Sequence, residues 1–235
     1  MKYTTSIAFD EMSGSAKGMT AVKSHGRKHL RGSKRGGSPS TGFQNSTRSF
    51  FGQISQSWGT LTDAQMRAWN KLAESQSGRS ILGSKAKISG ANLYQRLNFW
   101  VVRCGEPAMG NPPALVGVGA PAAAKVVLTD SEFTLTLDSI PASAANLRLV
   151  VMATKPLSAG VTQANSRESA FSDPMPVVSA TISLKADYEA KYGAVSVRAP
   201  KVFIKYFYVN IATGEKSAEL FAEARLYPKD MGTAS

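Results

Sequence analysis

The residues of this sequence best suited to chemistry are two histidines and one cysteine. His25 and His29 lie four positions apart, a spacing that places two metal ligands on one face of a helix. Glycines interrupt this segment, however, and no further ligand lies nearby in the sequence. The single Cys104 has no histidine or acid beside it that would activate its thiol. We therefore predict no metal site and no reactive thiol, and we expect Cys104 to be a small buried apolar side chain.

The motifs that usually bind phosphate or build a catalytic triad are missing from the sequence. Its glycine-rich stretch lacks the strand and helix that flank nucleotide-binding loops, and no nucleophile-elbow pattern occurs. Both histidines lie in a segment expected to lack rigid structure, so a preorganised serine–histidine–aspartate set is not expected. Acids such as Asp173 and Asp187 are scattered like solvated charges. We predict a protein that is not an enzyme and needs no cofactor.

Positive charge is concentrated in the first part of the chain. The net charge is +12 at pH 7; residues 1–52 hold nine basic and two acidic residues, whereas residues 121–235 hold twelve and eleven. No acid interrupts residues 17–35, where large apolar residues are too few to build a core. Residues 1–43 are thus predicted to be an extended arm, disordered when free and ordered on an anionic partner; the alternative is a solvated tail. The basic residues expected to bind the partner are Lys23, Arg27, Lys28, Arg31, Lys34 and Arg35.

Residues 44–105 are predicted to form a small helical unit. Apolar residues recur there at helical spacing. Thr62 and Gln65 have the spacing of a capping box, in which each side chain satisfies the backbone N–H of the other residue. Ser89 is a predicted N-cap for a third helix, and Gly105, with a proline two positions later, is typical of a C-terminal stop.

All three tryptophans, Trp58, Trp69 and Trp100, lie in this helical unit. Aromatic residues at helical spacing are far more often part of a core than a platform for stacking bases. We expect the three rings to be buried, where they join the helices to one another or to a neighbouring subunit. Truncation of a buried tryptophan to alanine costs about 3–5 kcal/mol.

Residues 106–120 read as a linker rich in proline and glycine, and the Pro112–Pro113 pair favours a semi-rigid polyproline II spacer. A domain boundary is expected there because the hydrophobic period changes from 3.6 residues before the linker to about 2 residues after it.

Residues 121–228 are predicted to be a β domain, followed by a tail over residues 229–235. Apolar and polar residues alternate over residues 133–138, and residues 147–154 are almost entirely apolar, as in a central strand. About seven short strands separated by turn signals indicate an antiparallel β-sandwich of the immunoglobulin or fibronectin type III kind. The expected fold class is α+β, with an extended basic N-terminal arm, a small helical unit and this C-terminal sandwich.

Two localisation signals are missing from the sequence. No apolar run approaches the ~18 residues needed for a transmembrane helix, and the N-terminal residues lack the apolar region of a secretory signal. We therefore expect no membrane association.

The region from Trp58 onward resembles a known group of proteins. Its pattern is W-x-x-L-T-x-x-Q-x-x-x-W-N, a glycine-rich loop, I-S-G-x-N-L-Y-x-x-x-N, a glycine and P-P-A; we call it the tryptophan motif. Its residues are Trp58, Leu61, Thr62, Gln65, Trp69, Asn70, Ile88, Ser89, Gly90, Asn92, Leu93, Tyr94, Asn98, Gly105, Pro112, Pro113 and Ala114. It is similar to that of small virion structural proteins of Bacteroidetes phages and prophages, including crAss-like phages. Those proteins tend to open with a basic glycine-rich segment and to close with an Ig-like domain.

The resemblance implies a virion component made in the host cytoplasm. Its expected partners are capsid, portal or tail subunits, and a homo-oligomer within the particle. The alternative function, from a different class, is a nucleic-acid-binding protein whose basic arm contacts phosphates.

Overall fold

The computed structural model contains helices and antiparallel sheets, which confirms the α+β class. Contacts divide the chain into two compact units, Met1–Tyr94 and Gln95–Ser235. This division falls inside the third helix, whereas the change of hydrophobic period placed the expected boundary in residues 106–120. The structure describes residues 14–16, 19–24, 27–32, 41–79, 85–142, 144–164 and 168–226.

The first compact unit opens with a three-stranded antiparallel sheet in the order β1-β2-β3. Its strands are β1 (Gly14–Ala16), β2 (Met19–Ser24) and β3 (Arg27–Gly32). The sequence analysis predicted an extended arm without structure of its own; the described residues are extended, but they pair with one another. Only two residues separate β2 from β3, and the second of them is a glycine, which is the spacing of a tight β-hairpin.

Two helices of the first unit begin with capping boxes. They are α1 (Gly42–Gly59) and α2 (Asp63–Glu74). At α2 the predicted box is confirmed: Gln65 N donates to Thr62 Oγ1 at 3.3 Å, and Thr62 N donates to Gln65 Oε1 at 3.0 Å. Thr41 and Gln44 form an equivalent box at α1, which the sequence analysis did not identify. Each box satisfies two N–H groups that a helix start leaves unpaired.

A third helix follows a short hairpin of β4 (Ser77–Arg79) and β5 (Lys85–Lys87). This helix, α3 (Gly90–Arg103), begins after Ser89, whose hydroxyl accepts from Asn92 N at 3.2 Å as an N-cap does. Gly105 follows its C-terminus with a φ of 86°. The N–H groups of Gly105 and Glu106 donate to the carbonyls of Val102 and Val101 respectively. These paired bonds are a Schellman motif and explain the predicted glycine stop.

The second compact unit contains two antiparallel sheets and a fourth helix, α4 (Lys185–Tyr192). The smaller sheet has the order β11-β7-β6 and consists of β6 (Ala124–Leu128), β7 (Phe133–Leu137) and β11 (Thr181–Ser183). The larger sheet has the order β10-β8-β12-β13, and β9 also pairs with β8. Its strands are β8 (Leu147–Ala153), β9 (Ser169–Ala170), β10 (Met175–Pro176), β12 (Lys201–Asn210) and β13 (Leu220–Arg225).

Side chains from both sheets of the second unit meet in one hydrophobic core. Leu135 of β7, Leu149 of β8 and Ile204 of β12 are each fully buried there. β12 is buried on its other side as well, since Phe207 packs with Val150 in a separate cluster. This double burial explains why β12 reads as an almost continuous apolar run.

The proline-rich segment between α3 and β6 is fastened to the second unit. The buried side chain of Asn98 accepts from Met109 N at 2.6 Å. Farther along, the carboxylate of Glu215 accepts from Val116 N at 3.1 Å and from Gly117 N at 3.2 Å. Residues 106–120 were predicted to be a spacer between domains; in the structure, their backbone is held by side chains of the unit in which they lie.

Candidate functional site

The strands formed by the first described residues are rich in basic residues. The register places Lys23 across from Lys28 and Ser24 across from Arg27. Arg31 lies across from Thr20 and is exposed, whereas Lys28 is half-buried. The twelve residues of β2 and β3 contain four Lys or Arg and no acid. The remaining predicted partner-binding residues, Lys34 and Arg35, lie outside the described residues.

Tyr94 joins the three helices of the first unit. Its ring lies 5.2 Å from that of Trp58 on α1 and 5.2 Å from that of Trp69 on α2, measured between ring centroids. The Tyr94 hydroxyl is 2.8 Å from Ser57 Oγ, within hydrogen-bonding distance. Tilted and edge-to-face aromatic pairs of this kind add about 0.5–1.5 kcal/mol to the burial of the rings. The tryptophans were expected to join the helices to one another. Trp58 and Trp69 do so through Tyr94, a residue whose role was not predicted from the sequence.

Full burial is found for only one of the three tryptophans. Trp69 is completely buried, whereas Trp58 and Trp100 are half-buried, which corrects the expectation that all three are enclosed. Trp100 packs edge-on against Phe207 of β12 with the ring centroids 5.3 Å apart. The Arg103 guanidinium lies over the Trp100 ring at 5.6 Å. Trp100 thus packs against β12 while part of its side chain remains accessible.

Asn70 and Gly90 of the tryptophan motif form a contact between α2 and the start of α3. The Asn70 side chain accepts from Gly90 N at 3.1 Å. A Cβ atom at position 90 would lie 2.8 Å from the backbone nitrogen of Asn70, closer than real Cβ contacts. Position 90 therefore requires glycine for close helix approach.

Asn98 and Gly214 have comparable structural roles in the second unit. Asn98 is completely buried, and its amide oxygen orients the segment that follows α3 through Met109 N. Gly214 has a φ of 71°, and a Cβ there would lie 2.7 Å from the carbonyl carbon of Leu97. A buried side-chain amide that is hydrogen-bonded to the backbone stabilises one conformation of the chain. Any conformation that left this amide unpaired would cost about 1–3 kcal/mol.

Burial has the largest effect on the pKa of the single cysteine. Cys104 is half-buried, and this burial raises the pKa of its thiol to about 11 despite the nearby charges of Arg148 and Arg103. Burial also lowers the pKa of Arg103, and the charge of Asp173 opposes that shift. The thiol is therefore neutral at physiological pH and is a poor nucleophile.

A small cleft lies beside α4 in the second unit, with a volume of about 100 Å³. Leu128, Phe133 and Tyr188 form its apolar side. The Lys185 ammonium at its rim donates to the carbonyl oxygens of Asp130 and Ser131, at 2.8 and 3.3 Å. This lysine therefore closes the turn between β6 and β7 at the rim of the cleft.

Metal-binding clusters and membrane-spanning helices are both absent from the part of the chain that the structure describes. Within it, no group of three or more His, Cys, Asp or Glu side chains is placed to hold a metal ion. None of the described helices combines the length and apolar character needed to cross a membrane.

The sequence indicated which residues belong to the helical motif. It did not indicate which residues they contact in the structure. For Asn98 the sequence does contain a signal. This asparagine lies one turn after Tyr94 and continues the apolar face of α3, and it is buried in the structure. The local sequence does not indicate the partners of Gly214 and Glu215, which lie about a hundred residues earlier. No protein-family model matches the sequence, and the search of curated proteins found no match to it either.

Proposed function

We propose that this protein is a non-enzymatic structural subunit of a phage virion. It docks on the capsid, portal or tail assembly through its basic N-terminal segment and its helical unit. The observation that carries the proposal is the β2–β3 hairpin, which holds four cations and no acid and sets Lys23 opposite Lys28. A segment with this excess of basic residues is suited to an anionic partner surface.

The contacts of the tryptophan motif support an assembly role. Trp69, Asn70 and Gly90 hold helices together, while Thr62 and Gln65 cap α2. A rigid helical framework next in sequence to a basic segment suits a subunit that must present one fixed surface to its neighbours. The resemblance of the motif to phage virion proteins points in the same direction.

We further propose that the second unit is an immunoglobulin-like or fibronectin type III-like sandwich. Its strand order supports this: β11-β7-β6 corresponds to an E-B-A sheet, and β8-β12-β13 to a C-F-G sheet. Side chains from the two sheets share one core, as the facing layers of a sandwich do. An experimental structure with the two sheets packed edge to edge instead of face to face would refute this assignment.

The docking proposal is tested by removing charge from the hairpin. A variant with Lys23, Arg27, Lys28 and Arg31 changed to glutamine should melt within a few degrees of the parent, since these strands contribute little to the core. It should be incorporated into particles at least about tenfold less, because four cross-interface charges are lost.

The matched control changes two lysines and two arginines of the second unit, all exposed, to glutamine: Lys125, Lys155, Arg198 and Arg225. This control should be incorporated like the parent. Equal incorporation of the hairpin variant and the control would refute docking through the basic segment.

The same hairpin favours a second candidate function, binding of nucleic acid through phosphate contacts. Four cations on two adjacent strands match an anionic backbone as well as they match an acidic protein surface. The salt dependence of binding separates the two candidates.

A further inference from the structure

Part of the proline-rich segment after α3 is hydrogen-bonded to one side chain. Among the described residues, the hydrogen bonds made by residues 112–120 all go to the carboxylate of Glu215. Val116 N donates to Glu215 Oε2 at 3.1 Å, and Gly117 N donates to Oε1 and Oε2 at 3.3 and 3.2 Å. These residues contain no helix or strand of their own. We call residues 112–120 the strap.

Glu215 is held in place by the connection between β12 and β13. Thr213 Oγ1 donates to Glu215 Oε2 at 3.1 Å, and Asn210 N donates to Glu215 O at 2.9 Å. Gly214 N donates to Asn210 O at 2.7 Å, and Thr213 is buried. The backbone of this connection is therefore braced without any help from the strap, and it presents the Glu215 carboxylate in a fixed position.

The two N–H groups that bind this carboxylate belong to consecutive residues. Gly117 has a φ of 73°, in the left-handed region that favours glycine. Consecutive N–H groups beside a left-handed residue form a concave anion site, called a nest. Hydrogen bonds from backbone N–H groups to a carboxylate are charge-assisted and stronger than those between neutral groups. The strap thus contributes a small anion site that the chain's own Glu215 fills.

Packing holds the strap only in part. Val118 is half-buried against the core of the second unit, whereas Val116 is 75% exposed. On either side of the strap the chain is fixed again, at Met109 N and at Ala122 O. Segments with few buried apolar contacts and exposed hydrogen bonds open locally, at a lower cost than global unfolding. The strap has these properties between two fixed ends.

We propose that the N–H groups of Val116 and Gly117 form a carboxylate-binding site whose resident ligand is Glu215, and that the strap opens as a unit when this carboxylate is lost. The sheets of the second unit remain folded in the open form, since their core does not depend on the strap. A small carboxylate that reaches the two N–H groups takes the place of Glu215 and closes the strap again. The inference goes beyond the proposed function, because it concerns contacts within the second unit and holds for any partner of the chain.

Hydrogen exchange of the full chain, followed by mass spectrometry, tests the role of Glu215. In Glu215→Ala the strap should exchange at least about tenfold faster than in the parent, because two N–H groups lose a charged acceptor. β8 and β12 should keep the parent's rates. The matched control, Glu132→Ala, removes an exposed glutamate from the turn between β6 and β7 and should leave the strap unchanged. Unchanged exchange of the strap in Glu215→Ala, or equal acceleration in β12, would overturn the proposal.

Chemical rescue tests the class of ligand. Formate added to Glu215→Ala should slow the exchange of the strap toward the parent's rate, whereas chloride at the same ionic strength should not. The parent should respond to neither anion, because Glu215 already occupies its site. An absence of rescue by formate, or equal rescue by chloride, would refute a site selective for carboxylates.

Two glycines of the strap test the shape of the site while Glu215 stays in place. A Cβ at Gly117 or at Gly119 meets no atom within 4 Å, so neither substitution creates a clash. Of the two, Gly117 alone has a positive φ, which alanine adopts only at a cost. Gly117→Ala should therefore speed exchange in the strap at least about fivefold, and Gly119→Ala should leave it near the parent's rate. Equal exchange in the two variants would show that the strap does not depend on the nest, contrary to the proposal.

Discussion

At the scale of single residues, Gly90 is the described glycine of the first unit at which an added side chain would make the closest contacts. A methyl group there would lie 2.8 Å from the backbone nitrogen and 3.0 Å from the Cα of Asn70, so the two helices would have to separate. We expect Gly90→Ala to lower the free energy of unfolding by about 1–3 kcal/mol, the usual cost of overpacking. The control is Gly52→Ala, which meets nothing and should raise stability by about 0.5–1 kcal/mol. Urea titrations that gave both changes the same sign would contradict this account.

Two buried tyrosines of the second unit differ in one hydrogen bond. The Tyr188 hydroxyl donates to Thr154 O at 2.9 Å, whereas the Tyr208 hydroxyl is buried with no partner among the described residues. Burial raises the pKa of both hydroxyls. Tyr188→Phe should therefore cost about 1 kcal/mol, and Tyr208→Phe should be neutral or stabilising, because it removes an unsatisfied group. Thermal melts of the two variants test the difference, and a larger loss for Tyr208→Phe would refute it.

At the scale of elements, the β12–β13 pair has a pH-dependent contribution to stability. Glu219 accepts from Lys216 Nζ at 2.7 Å and lies 3.5 Å from Lys205 Nζ. The hydrogen bond from Lys216 holds the Glu219 pKa below its usual value of 4.5. The carboxylate therefore stabilises the folded state above about pH 4.5, and this contribution is lost as the pH falls through the lowered pKa.

Glu219→Gln should consequently reduce stability at neutral pH by at most about 1 kcal/mol, since the group is half-buried at the surface and partly screened by solvent. The difference from the parent should disappear in acid. Melts from pH 3 to pH 7 test this, with the exposed Glu132→Gln as the control that should show no such convergence. A gap between the parent and Glu219→Gln that stays constant with pH would contradict the assignment.

Elements defined by neighbouring residues were predictable from the sequence, whereas most contacts between distant elements were not. The capping box at Thr62 and Gln65 involves residues three apart, so its signal is local. The pairing of β2 with β3 was missed because the abundant charge outweighed the two-residue spacing between the strands. Tyr94 was not recognised as the centre of the helices because nothing local shows that Trp58 and Trp69 converge on one ring.

At the scale of the whole molecule, the change of hydrophobic period identified an α+β chain but not its division into units. The contact boundary lies between residues 94 and 95, inside a continuous helix. Residues 106–120 read as a spacer because proline and glycine dominate them. Besides Asn98, which holds Met109 N, the carboxylate of Glu215 binds them from almost a hundred residues later, and a single distant carboxylate leaves no pattern in the local sequence.

The uneven charge of the whole chain leads to the last prediction, which separates the two candidate functions. With residues 1–52 carrying nine basic and two acidic residues, any binding to nucleic acid should be concentrated there. A DNA complex that used about six of these cations would show log K falling with log salt concentration with a slope near −5. Docking in a particle through packed helices and paired strands should instead survive high salt, because buried contacts are weakly screened. We therefore expect purified particles to retain the protein through washes in molar salt, while its affinity for duplex DNA is weak at physiological salt and has no sequence preference. Loss of the protein from particles in high salt, together with tight DNA binding of that slope, would favour the nucleic-acid function over the structural one.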